Sequence, residues 1–160
     1  MATQTATFAA GCFWGIETAF RNITGVQDAI CGYTGGKTEN PEYRLICAGN
    51  TGHAEAVQVT FDDESVTYSD LLQAFWGMHD PTQKDRQGPD FGSQYRSAIF
   101  VHDDDQRARA EASKKALDAS GRWQSPVVTE INDAVKFWKA EDYHQRYFEK
   151  NKRKLGGLFG

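Results

Sequence analysis

The run Gly11-Cys12-Phe13-Trp14-Gly15 places a thiol where a Thr-rich alternating stretch, residues 4–9, gives way to a helical one, Trp14 to Arg21. A cysteine at the first turn of a helix feels the positive end of the helix dipole, which lowers its pKa and enlarges the thiolate fraction. That is the chemistry of a nucleophile. In purely apolar surroundings the same residue is a small inert hydrophobe, so its neighbours decide. Phe13 and Trp14 offer two large apolar faces, either to the core or to the wall of a small apolar pocket. Glu55 shares the apolar face of a period-two segment with Val57, Val59 and Phe61. A carboxyl group so placed loses solvation, and its pKa rises toward that of a general acid unless a buried ion pair compensates.

The elements that must position these groups follow from periodicity and punctuation. Strands are expected at residues 4–9, Val26 to Tyr33, Ala54 to Phe61, Ser97 to Val101 and Val127 to Ile131. The stretch from Gly35 to His53, rich in Gly, Asn, Thr and Pro, reads as a long loop, and loops of that length in compact domains tend to be functional. Its aromatic residue is Tyr43. Ser69 is expected to cap a helix through Leu71, Leu72, Phe75 and Trp76 that ends near His79-Asp80-Pro81, before a second polar loop from Thr82 to Gln94. Asp103-Asp104-Asp105 leads into a helix from Gln106 to Ala119, and Ala140, Tyr143 and Tyr147 recur at helical spacing before a basic, Gly-rich tail, 152–160. The irregular alternation predicts an α+β fold: a two-layer sandwich with a mixed β-sheet, a ferredoxin-like core and long active-site loops.

At 160 residues the chain is expected to form one domain, 1–160, with one core. A net charge of -4, with the basic residues clustered only at Lys114-Lys115 and Lys150 to Lys154, argues against a nucleic-acid partner. No apolar run approaches the ~20 residues that span a bilayer, and the first seven residues lack the features of a signal peptide. A cytoplasmic location is therefore expected. Cys12, Cys31 and Cys47 are three cysteines without a C-x-x-C pair, which favours reduced thiols over a disulfide framework. A metal site from these thiols and His53 is disfavoured because the ligand spacings of structural zinc are missing. His79, His102 and His144 have no evident partners in the sequence, and packing or capping is the default for each.

The motif around Cys12 resembles the active-site signature of the A-class peptide methionine sulfoxide reductases. Further blocks similar to that family follow in order: Gly32-Tyr33-Thr34-Gly35-Gly36, Thr51-Gly52-His53-Ala54-Glu55, Phe75-Trp76 with His79-Asp80-Pro81, Arg86-Gln87-Gly88 and Gln94-Tyr95-Arg96-Ser97. The likeness spans about residues 7–148. It implies reduction of the S-epimer of protein-bound or free methionine sulfoxide, with Cys12 as nucleophile and Phe13 and Trp14 around the substrate methyl group. It further implies Glu55 as the acid that protonates the sulfoxide oxygen, Tyr43 and Tyr95 as hydrogen-bond donors to it, and Asp90 in the supporting polar network. Cys12 would end the first half of the cycle as a sulfenic acid. The resemblance implies no metal or organic cofactor, only an external thiol reductant such as thioredoxin or glutaredoxin, and a monomer is expected.

One feature departs from the pattern. Many members carry a resolving cysteine in the Gly-rich tail, and residues 154–160 here contain none. Cys47 and Cys31 are the internal candidates, with direct attack of an external thiol on the sulfenic acid as the other route. Two different functions remain compatible with the residues alone. One is a non-catalytic aromatic cage of Phe13, Trp14, Tyr43 and Tyr95 for a methylated cation, and the other is a thiol peroxidase.

Overall fold

A computed structural model describes residues 3–49 and 51–151; the tail expected at 152–160 lies outside the described residues. The chain runs β1 (Thr3–Ala10), α1 (Phe13–Arg21), β2 (Val26–Thr34), α2 (Tyr43–Cys47), β3 (Ala54–Asp62), α3 (Tyr68–Gly77), β4 (Arg86–Gln87), β5 (Asp90–Phe91), β6 (Ser97–Val101), α4 (Asp104–Ala119), β7 (Glu130–Asp133), β8 (Trp138–Lys139) and α5 (Tyr147–Lys150). Short 3-10 turns occupy Ser93–Tyr95 and Asp142–His144. Six strands form one sheet in the order β7-β6-β1-β3-β2-β8. Its pairs are antiparallel except β6 with β7, so the sheet is mixed and the fold is α+β.

Alternation along the strands separates two faces. Ala6 and Phe8 of β1, Val57, Val59 and Phe61 of β3, and Ile99 and Val101 of β6 face the helices, where Phe20 of α1 and Leu71, Leu72 and Phe75 of α3 join them in the main core. Phe8 is the centre of an aromatic stack, with ring centroids 5.0 Å from Phe20 and 5.2 Å from Phe75. The other face carries small residues, Ala9, Ala54, Ala56 and Ala98 with Phe100, under Ala134 and Phe137. Fully burying each large side chain of the first face stabilises the fold by roughly 1.5–3 kcal/mol.

Several element boundaries differ from expectation for identifiable reasons. The cap of α3 is Thr67: its hydroxyl accepts from the Asp70 amide while the Asp70 carboxylate accepts from the Thr67 amide, a reciprocal pair that Ser69 cannot make. The expected last strand at Val127 to Ile131 is shifted to Glu130–Asp133, and β8 follows it. The loop between β2 and β3 contains the short helix α2, and the second polar loop folds into the β4–β5 hairpin. No continuous helix covers Ala140 to Tyr147: the 3-10 turn ends at His144, and Arg146 adopts a left-handed conformation (φ 51°). Buried Glu17 explains the break, because both of its carboxylate oxygens accept from the Arg146 amide at 2.8 and 3.0 Å.

Two glycines fix the loops. At Gly11 (φ 98°) a Cβ would meet Gln87 Cβ at 2.9 Å, and Gln87 is itself clamped by two hydrogen bonds to the Asp80 backbone. At Gly36 a Cβ would fall 2.3 Å from the His53 amide nitrogen. Gly36→Ala is therefore expected to destabilise the protein by about 2 kcal/mol or more, read as a lower urea midpoint at unchanged slope.

Candidate active site

The site lies where the start of α1 meets the start of β3. Cys12 is the N-cap residue of α1 (φ -56°, ψ 122°), half-buried and a free thiol. The next residue, Phe13, donates its amide to Glu55 Oε1 at 3.3 Å, which draws the carboxyl group to the helix terminus beside the thiol. Glu55 also accepts from Gln94 Nε2 at 3.3 Å. Burial pushes the Glu55 pKa up to about 7; these two hydrogen bonds hold it down in part, and the Asp90 charge raises it. The carboxyl group expected on the apolar face is thus there, without a cation in a salt bridge to it among the described residues. At neutral pH it is poised to give a proton.

The expectation for Cys12 is reversed. Burial pushes the thiol up to about 11; the backbone hydrogen bond at Trp14 lowers it, and the charges of Glu55 and Asp90 raise it further. The helix terminus is present, but desolvation outweighs it. Glu55 and Asp90 therefore share the electrostatic field of the thiol.

Phenols surround the same spot. Tyr43 opens α2 and Tyr95 closes the 3-10 turn before β6, and each feels the charge of Glu55. Burial pushes Tyr95 up to about 12 and Tyr43 higher still, so both remain hydrogen-bond donors. Tyr43 is placed by Glu141, whose Oε2 accepts from the Tyr43 amide at 3.0 Å while Oε1 accepts from the Tyr33 hydroxyl at 2.9 Å. His53 pins the loop that carries α2: Nδ1 accepts from the Gly36 amide at 3.0 Å and Nε2 donates to the Thr38 carbonyl at 2.7 Å. Arg96 ties the two site loops together by donating to the Ser93 and Gly52 carbonyls.

The aromatic pair after the thiol divides its work. Phe13 is buried in the core with Tyr33, centroids 5.7 Å apart, and with His144 at 5.1 Å. Trp14 is half-exposed, stacked on Tyr147 at 3.8 Å and 6°, and donates its indole N–H to His144 Nδ1 at 2.9 Å. Tyr147, His144, Glu141, Gln94 and Glu17 all shape the site, and residue type and spacing alone mark none of them as functional. Only Gln94 carried a signal, as part of a block resembling the family.

Cys31 and Cys47 occupy opposite environments. Cys31 is fully buried, donates its thiol to the Phe13 carbonyl at 3.6 Å, and has its backbone paired with the side chain of Gln145. Cys47 is exposed at the end of α2, and its sulfur accepts from Gln94 Nε2 at 3.6 Å. No group of three or more metal-ligating side chains is found among the described residues.

A half-buried cysteine at a helix terminus, with a neutralisable carboxyl group and two phenols around it, is an arrangement that can pair a sulfur nucleophile with proton donors, as a cysteine-dependent enzyme requires. The sequence profile of the family described as peptide methionine sulfoxide reductase matches residues 4–156. A peptide methionine sulfoxide reductase MsrA of Methanosarcina mazei is 60% identical over 147 residues, 92% of this chain and 70% of that protein. In structure, Mxr1 from Saccharomyces cerevisiae in reduced form superposes with a TM-score of 0.88 at 33% identity, covering 94% of this chain and 87% of that one. Mxr1 in complex with Trx2 superposes with a TM-score of 0.65 at 25% identity, covering 91% and 84%. The chain belongs to the peptide methionine sulfoxide reductase family and is an oxidoreductase that reduces methionine sulfoxide to methionine.

Proposed function

We propose that the enzyme acts on the S-epimer of methionine sulfoxide, that Cys12 attacks the sulfoxide sulfur and that Glu55 protonates the departing oxygen. The observation that carries this reading is the Glu55 carboxyl group, buried with no cation paired to it among the described residues and bonded to the amide next to Cys12. Sulfoxide oxygen is a poor leaving group until it gains a proton. Glu55 supplies that proton, and the Tyr43 and Tyr95 hydroxyls, near enough to feel the Glu55 charge, share the developing negative charge. The Cys12 sulfur bonds to the substrate sulfur, the oxygen passes to Cys12, and the thioether departs. In balance, thiol and sulfoxide become sulfenic acid and sulfide, the cysteine being oxidised as methionine is reduced. Trp14 presents the apolar wall to the substrate methyl group and Phe13 backs it from the core.

An epimer-resolved assay on a methionine sulfoxide peptide tests this. The S-epimer is expected to be consumed while the R-epimer survives; turnover of the R-epimer alone overturns the assignment. An aromatic cage for a methylated cation is disfavoured because Phe13 is buried in the core and only Trp14 of that pair is open.

For recycling, thioredoxin is the proposed reductant, supported by the family relationship and by the Mxr1 complex with Trx2. Of the two internal thiols, exposure favours Cys47 as the resolving residue, since Cys31 lies beneath the docked segment around Gln145. One turnover without reductant should then consume two free thiols in the unmodified protein, where a sulfenic acid would consume one, and Cys47→Ser should lose only one while slowing thioredoxin-supported turnover by about tenfold or more. If the unmodified protein, like Cys47→Ser, loses only one thiol on turnover, the external thiol attacks Cys12 directly.

A further inference from the structure

His144 is completely buried, and its ring is enclosed by Phe13, Trp14, Tyr43 and Tyr143 at centroid distances of 4.1 to 5.6 Å. Its Nδ1 accepts the Trp14 indole N–H, which in a neutral ring leaves the proton on Nε2, and Nε2 has no hydrogen-bond partner among the described residues. A buried unpaired donor is costly, so a histidine used for packing alone would gain by becoming a phenylalanine. What the phenyl ring lacks is the acceptor for Trp14.

We propose that His144 is a positioning residue for the reduction: as a neutral Nδ1 acceptor it fixes the indole of Trp14 at the angle that holds the substrate methyl group. This rests on the reading of Trp14 as the pocket wall. The stack on Tyr147 sets the plane of the indole but leaves it free to slide within that plane, and the single N–H bond removes this freedom. Tyr147 in turn is delivered by the left-handed Arg146, whose amide is held by Glu17.

The surroundings keep the imidazole neutral. The titratable groups facing it are Glu141 and Tyr143 from its own turn and Tyr43 from α2, while Phe13 and Trp14 come from α1. Burial lowers the His144 pKa from its ordinary value, with the Glu141 charge opposing. Glu141 is already engaged by Tyr33 and the Tyr43 amide, and among the described residues Nε2 has no acceptor to hold a charged ring. Protonation would put an N–H on Nδ1 opposite the indole N–H, two donors face to face.

Three variants test the proposal. His144→Phe keeps the ring and removes the acceptor; KM for the sulfoxide peptide is expected to rise about tenfold with kcat changed less than about threefold, while the urea midpoint is unchanged or higher. His144→Asn places an amide oxygen near the Nδ1 position and should restore most of the KM. The indole 15N–1H cross-peak of Trp14, assigned by its loss in Trp14→Phe, should shift on acidification below the ordinary histidine range in the unmodified protein and stay put in His144→Asn. Unchanged KM in His144→Phe, or an indole resonance in the unmodified protein that ignores pH, overturns the proposal. Absence of sulfoxide reduction by the unmodified protein would instead sink the reading on which it rests.

Discussion

Glu55→Gln is expected to lower kcat/KM by about 10²–10⁴-fold while making the protein more stable in mild alkali. Glutamine fills the same space and can still accept from the Phe13 amide, but it has no proton to give to the sulfoxide oxygen. The pH dependence distinguishes loss of an acid from loss of shape. On the proposed mechanism the reactive pair has the proton on Glu55 (about 7) and off Cys12 (about 11). Between those values the two groups hold one proton together, and the share of molecules with it on Glu55 is constant, on the order of one in 10⁴. Below about pH 7 both groups are protonated, and the reactive share falls tenfold per pH unit. The kcat/KM of the unmodified enzyme should therefore rise to about pH 7 and then run flat, whereas Glu55→Gln should keep rising with pH until Cys12 itself has titrated. A plateau in Glu55→Gln starting at the same pH would show that another group controls the limb.

Stability follows from the same group with the opposite sign. The Glu55 pKa is raised from 4.5 unfolded to about 7 folded, so across that window the folded state binds more protons and loses stability as pH rises. Above pH 7 the accumulated cost approaches about 3 kcal/mol, and the glutamine variant does not carry it. Urea melts of both proteins at pH 5 and pH 8 measure this directly: the two should converge at the acidic pH and separate at the alkaline one.

Glu55 was legible in the sequence because strand alternation is a strict period of two, and a carboxyl group on the wrong face stands out. The same regularity exposed β1, β2, β3 and β6. The C-terminal segment was misread because helical spacing of Ala140, Tyr143 and Tyr147 says nothing about a long-range clamp, and it is Glu17, more than a hundred positions away in sequence, that holds Arg146 left-handed and breaks the helix. His144 was invisible for a related reason: its partner Trp14 comes from the other end of the chain. Local pattern reaches the elements and the polar residue that violates its face. Pairings closed by tertiary contact do not leave a local trace.

Cys12→Ser is expected to abolish sulfoxide reduction while leaving the fold intact, since serine is a favoured N-cap residue and its hydroxyl can accept from the Trp14 amide in place of the thiol. The more informative measurement is how the thiol reacts before substrate arrives. If the helix dipole governed Cys12, alkylation by iodoacetamide would be fast at pH 7 with a midpoint well below that of a free cysteine. Burial and the charges of Glu55 and Asp90 instead hold it up at about 11, so labelling at pH 7.5 should modify exposed Cys47 first, Cys12 slowly and buried Cys31 last. Glu55→Gln removes one of the two repelling charges and should speed Cys12 labelling, an effect opposite to its effect on turnover. Labelling of Cys12 ahead of Cys47 would overturn this account of the resting thiol. A resting thiol kept protonated by burial is expected to resist adventitious oxidation, because thiolate is the form that peroxides attack. On the proposed mechanism its activation belongs to the encounter with a sulfoxide, whose electron-poor sulfur would take up the thiolate charge as Glu55 gives its proton to the oxygen.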